Sequence, residues 1–402
     1  MELFCCQWVI ESKCLHKVVL NDCGIKGSSF LSQLLQRDIG IEEIVLDNGV
    51  FTSALSFDGP ILVKELSVLS LRSCKCNSDF LLSLLIVIRE NNISIHSLDF
   101  SQMEISDNDF TSFLLALTSI HFPSLESFYF DDNTLDSNQT ILLTTFLEKQ
   151  PQLQRLSLNS SINVYDSPNG FFAFSKYITG RTFTHLSLRN DKSINYSFGH
   201  LLFPILKSQQ NTLVYLDVTN QGIGQDGIEL ILPSVLNGTI NRLFFDGSNI
   251  SSFDYLCKFC TTLVSTQMKI ASFPRNDFER LSKHLITNES DIDGMIETMK
   301  SKFETKFGKN SIDSNYIPQI KRSQIKTIVR TDSNKTNVKK VMSRANSTSV
   351  INEMYERLVD YDIEKMLMQY GIEYESDPIY GMLAEIEEEL SIDELTRKLV
   401  NE

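Results

Sequence analysis

The residues best placed by type to do chemistry are paired cysteines. Cys257-Lys-Phe-Cys260 has CxxC spacing, and Cys74-Lys-Cys76 and Cys5-Cys6 add further pairs. A structural zinc site needs four convergent ligands, usually from two such pairs at a suitable separation. Cys257 and Cys260 sit instead in an apolar helical stretch, where an i, i+3 pair is expected to face a core. The six histidines are scattered, and no HExxH, GxSxG or Walker-type phosphate loop is present. Gly222-Ile-Gly224-Gln-Asp-Gly227 has GxGxxG spacing, but no acidic residue closes a βαβ nucleotide unit around it. Tight turns are the simpler use of those glycines. No catalytic group, metal or cofactor is expected.

Charge narrows the partners. The net charge of −14 argues against a nucleic-acid binder, since phosphate neutralisation needs clustered cations. Residues 294–345 hold twelve Lys/Arg against four Asp/Glu, net +8, whereas 351–402 hold four against fifteen, net −11. In the basic stretch, Lys339-Lys340-Val-Met-Ser343-Arg344-Ala-Asn-Ser347 sets hydroxyls beside cations, as substrates of basophilic kinases do, which makes Ser343 and Ser347 candidate modification sites. The start MELFCCQWVIESK lacks a basic, long-apolar leader, so the expectation is a cytoplasmic protein with its eight cysteines reduced. Phe80 to Ile88 is about half of what spans a bilayer, so the chain is not expected to be transmembrane.

The elements that would position any site come from an internal repeat. Its template is an apolar residue at positions 1, 4, 6 and 11, with a small or polar buried residue at 9. Copies begin at Leu15, Ile41, Leu66, Ile95, Leu125, Leu153, Phe183, Leu213 and Ile240, and a poorer tenth at Leu263 (LVSTQMKIASF). Each is followed by a helix-like apolar cluster, such as Phe110, Phe113, Leu114 and Leu117 after the fourth. A short strand and a helix in each unit of mostly 25 to 30 residues predict an α/β solenoid, a horseshoe with a parallel sheet inside and helices outside.

The repeat length and the cysteine at position 9 of the first and third copies resemble the ribonuclease-inhibitor-like class of leucine-rich repeats. Intracellular members of that class include actin-assembly regulators of the tropomodulin and CARMIL types, Ran GTPase-activating proteins, and phosphatase or ribonuclease inhibitors. The resemblance implies a non-catalytic protein-protein interaction scaffold, with a cytoskeleton regulator as first reading. A GTPase activator of the Ran-directed type, or an inhibitory or regulatory subunit of an enzyme, is the alternative.

Strand alternation sends positions 3, 5, 7 and 8 out from the concave sheet. The fourth and fifth copies then bring together Asp99, Tyr129, Asp131 and Asp132, and the eighth and ninth Tyr215, Asp217, Phe244 and Asp246. Aromatics among carboxylates suit a protein partner with a basic surface. The domain reading is an amino-terminal cap over 1–14 and a solenoid over 15–289, closed by a capping helix near Asp277 to His284. A flexible basic linker over 290–350 and an acidic helical segment over 351–402 follow. Intramolecular contact between the linker, 294–345, and either the acidic concave face or the acidic tail is a further expectation.

Overall fold

Apolar residues of each copy surround one short strand, and in most units a helix closes over them, so no unit can bury its core without a neighbour. The computed structural model describes residues 15–312 apart from 23, 24, 26, 38, 39, 163–167, 192–197 and 284–288. The expected cap over 1–14, Ser343, Ser347, the segment 351–402 and most of the linker lie outside the described residues.

Ten strands form one parallel sheet in chain order, from Lys17–Val19 through Glu43–Val45, Glu65–Ser70, Ser94–Asp99, Ser127–Tyr129, Arg155–Ser157, His185–Ser187, Tyr215–Asp217 and Arg242–Phe244 to Ile270–Ala271. A helix or helical turn follows each of the first nine except the second, and the whole is an α/β fold. Register is uniform: position 4 of each unit stands beside position 4 of the next, as in Leu98, Phe128, Leu156, Leu186 and Leu216. These side chains are at most 2% exposed and pack under helix residues such as Phe113, Phe146 and Phe174. Helix starts are fixed by side-chain caps: Asn77, Ser106, Asp136 and Ser252 each accept the backbone N–H three residues on.

The turn after each strand is built from two positions. Position 8, expected to project from the sheet, reverses the chain instead: φ is positive at Asp22, Asn48, Ser73, Gln102, Asp132, Ser160, Asn220 and Gly247. Polar residues and glycine tolerate this left-handed conformation where bulky or β-branched ones do not. At Gly247 a Cβ would also collide with Asn220 Oδ1. Position 9 then bonds across the stack to the position-6 carbonyl of the preceding unit. Cys74 Sγ donates to the Leu46 carbonyl at 3.0 Å, Asn133 Nδ2 to Phe100 at 2.8 Å, Ser161 Oγ to Phe130 at 2.6 Å, and Gln221 Nε2 to Leu188. At the helix ends, Gln150 and Gln209 do the same work, accepting from the Phe122 and Phe183 amides and donating to turn carbonyls of the preceding unit.

Two expectations are corrected at the carboxyl end. Leu263 does not start the tenth unit; it lies in the helix Phe253–Ser265. Leu243 pairs with Ala271, so the tenth unit starts at Met268, with Ala271 and Phe273 at positions 4 and 6. Nor does the solenoid close near 284 and give way to a flexible linker at 290. The helix Arg275–Ser282 belongs to unit ten, and a further helix, Glu289–Phe307, packs on that unit. Ile292, Met299 and Phe303 of this helix are buried, and Phe303 meets Phe273 edge-on at 5.5 Å. The Phe273 amide donates to the Ser311 carbonyl at 2.8 Å, so residues up to 312 complete the end of the stack. The described residues 294–312 pack against units nine and ten, through buried apolar side chains and a bond from Lys306 Nζ to the Thr266 carbonyl, and the rest of 294–345 lies outside the described residues.

Candidate protein-binding face

Positions 3, 5 and 7 lie on the sheet face away from the helices, so this open face is where the sequence can vary without disturbing the core. Parallel register sets Asp99 beside Tyr129, and Asp217 beside Phe244, as the repeat spacing requires. The solvent exposure expected of these groups is not found. Asp99, Tyr215, Asp217, Phe244 and Asp246 are buried, Tyr129 and Asp131 are half-buried, and only Asp132 is exposed.

The acids are held in hydrogen bonds, some across to the next unit and some within their own. Asp131 accepts from Ser157 Oγ at 2.6 Å and from the Asn159 amide at 2.9 Å. Asp47 does the same with Ser70 Oγ and the Arg72 amide, and Asn159 with Ser187 Oγ and the Arg189 amide. A position-7 acceptor is thus capped by the position-5 hydroxyl and position-7 amide of the next unit. Where position 7 is Arg72 or Arg189 it cannot accept. The next unit then carries an aspartate at position 5, which takes its own position-7 amide: Asp99 from Ser101, Asp217 from Thr219, both at 3.0 Å. Asp246 accepts from the Asn276 amide and Nδ2 at 2.8 and 2.9 Å.

Burial dominates the electrostatics. It pushes Asp131 up to about 6 against the opposing hydrogen bonds from Ser157 and Asn159. It also raises Asp217, which Arg189 partly offsets, and lifts Tyr215 well above the usual phenol range. Tyr215 is clamped between rings, parallel to His185 at 5.8 Å and tilted against Phe244 at 5.5 Å. What remains at the surface is Tyr129, Asp131 and Asp132 in unit five, and a set of cations. Arg72, Arg155, Arg189 and Arg242 are all partly exposed. Their signal was plain in the sequence, since each stands at position 3 or 7.

The other motifs are structural. The Gly222 and Gly224 amides donate to the Gly247 and Ser248 carbonyls of the next unit, so this glycine turn is committed to the stack. Cys260 is buried in its helix, and burial holds its thiol well above the ordinary range. Burial likewise pushes Cys74 up to about 12, which suits a thiol donating inside a core. Among the described residues no group of three or more His, Cys, Asp or Glu is placed to hold a metal ion, and no helix is long and apolar enough to cross a membrane.

No family model matches the chain, and no curated protein does.

Proposed function

We propose that this chain is a cytoplasmic, non-catalytic protein-binding scaffold built as a leucine-rich-repeat horseshoe. The uniform position-4 register and the position-9 bonds to the preceding unit support the repeat class. The binding reading is carried by one observation: ten strands bring positions 3, 5 and 7 of every unit onto a single open face. Apolar positions 4 and 6 are spent on the core, which leaves the side chains that reach the surface at positions 3, 5 and 7 to set the partner.

The first docking stretch is Tyr129, Asp131 and Asp132, the acid-and-aromatic group that stays at the surface, and it suits a basic protein surface. The class resemblance makes a regulator of actin assembly the first reading of that scaffold. The test is cross-linking capture by the full chain in its native cell, comparing wild type with Tyr129→Ala combined with Asp132→Asn. Asn keeps the left-handed turn while removing the charge. Loss of a specific captured protein supports the reading; an unchanged set of captured proteins sinks the docking stretch. An unaltered rate of actin assembly with added protein would remove the cytoskeletal part.

A further inference from the structure

The strands of units six to nine are consecutive neighbours, and their register sets Arg155, His185, Tyr215 and Arg242 side by side in one row across the open face. Arg155, His185 and Arg242 are partly exposed; Tyr215 lies buried between them as a ring shelf. Among the described residues no carboxylate lies within ion-pair distance of Arg155, Arg189 or Arg242. The acids of units six to nine are turned to other work: Asp217 to the Thr219 amide, with Arg189 offsetting its burial, and Asp246 to Asn276. At the His185 position of the row the field is positive. His185 registers it: burial first, then Arg155 and Arg242, hold its imidazole down at about 4, and no acid opposes them.

A guanidinium presents a rigid fork of donors that matches a carboxylate, and a partly desolvated one with no counterion is open to such a ligand. Arg155 and Arg242 stand three strands apart, about 14 Å at the spacing of parallel strands. In an extended peptide, residues i and i+4 lie about 13 Å apart and point to the same side, with i+2 between them. We propose that this row receives an extended acidic segment of a partner protein, in which two carboxylates four residues apart engage Arg155 and Arg242 and the side chain midway lies over His185. A nucleic-acid backbone fits less well, because the whole chain carries −14 and would repel a polyanion of high charge density.

This goes beyond the docking of a basic surface at Tyr129, Asp131 and Asp132. It uses a different stretch of the face and the opposite charge, so either can fail alone.

The experiment is fluorescence anisotropy with the full chain at low salt. The probe is a fluorescein-labelled peptide in which two glutamates flank a phenylalanine at alternate positions in a serine and glycine background. Saturable binding is expected, weakened about tenfold or more in the double variant Arg155→Met and Arg242→Met, which keeps aliphatic bulk but loses both charges. A Lys pair at the same positions, keeping charge without the fork, should fall between, and it serves as the readout if the Met pair lowers thermal stability. Absence of saturable binding overturns the proposal. So does undiminished binding by the variants, equal binding of a control peptide with adjacent glutamates, or tighter binding of a single-stranded oligothymidylate.

Discussion

Units four and five and units six to nine draw on the same positions of the same repeat, yet they present opposite signs. In the first stretch Asp131 and Asp132 remain within reach of solvent beside Tyr129. In the second Asp217 is folded onto its own unit and Asp246 into a joint with unit ten, and arginines stand at the surface. The difference arises from what each position-7 residue can do. Asp131 and Asn159 accept from the next unit; Arg189 cannot, and its neighbour supplies Asp217 in compensation. Charge in this sheet is therefore a property of pairs of units.

The largest effect should come from the scaffold beneath the acidic stretch. Asn133 receives the Met103 amide and donates to the Phe100 and Phe130 carbonyls, all in the core. Asn133→Ala strands these groups and should cost about 3 kcal/mol or more, read as a lower urea midpoint. A change within error would mean that position 9 is not what joins these units.

Asp131 separates the stretches by pH. Its folded-state pKa, about 6, lies above the unfolded value, so the folded chain holds this proton more tightly. Its contribution is fully present below about pH 4 and is lost as pH rises to 6, by about 2 kcal/mol after allowance for its partial exposure. Asp131→Asn, which can still accept from Ser157 and Asn159, should flatten the stability profile in that window. A profile unchanged by the substitution would reject the assignment.

In the arginine stretch, Arg189→Met leaves buried Asp217 without its offsetting cation. A loss of about 1–2 kcal/mol at neutral pH is expected, shrinking as acid protonates Asp217, whose pKa is raised further by the change. A loss equal at pH 5 and pH 8 would point to packing instead. The smallest effect is at His185. Arg155→Met should move its imidazole upward from about 4, with burial, the larger cause, still holding it low; NMR titration of the ring protons reads this directly.

Much of the architecture was legible because positions 1, 4 and 6 obey core geometry from the second unit to the ninth. The tenth start was misplaced because Leu263 continues the apolar face of a helix carrying Leu256, Phe259 and Cys260, which imitated position 1. Only Ala271 at position 4 would have corrected it, and alanine is a weak signal. The helix Glu289–Phe307 was hidden among charges, since Ile292, Met299 and Phe303 form a thin stripe. At the candidate site, the repeat spacing set Asp99 beside Tyr129 and Asp217 beside Phe244, but alternation misjudged position 8, where Asp132 turns the chain. It could not tell that Ser157, Asn159 and Asn276 would cover the acids, because that depends on the neighbouring unit.

The compensation between Arg189 and Asp217 sets a rule for changes in length. Excising unit seven would bring Asn159 beside Asp217, leaving a buried acid next to an amide instead of a cation, while duplicating unit eight would place Thr219 beside a second copy of Asp217. The stack therefore reads as an ordered sentence in which each word constrains the next, and its units cannot be freely shuffled even though their folds are the same.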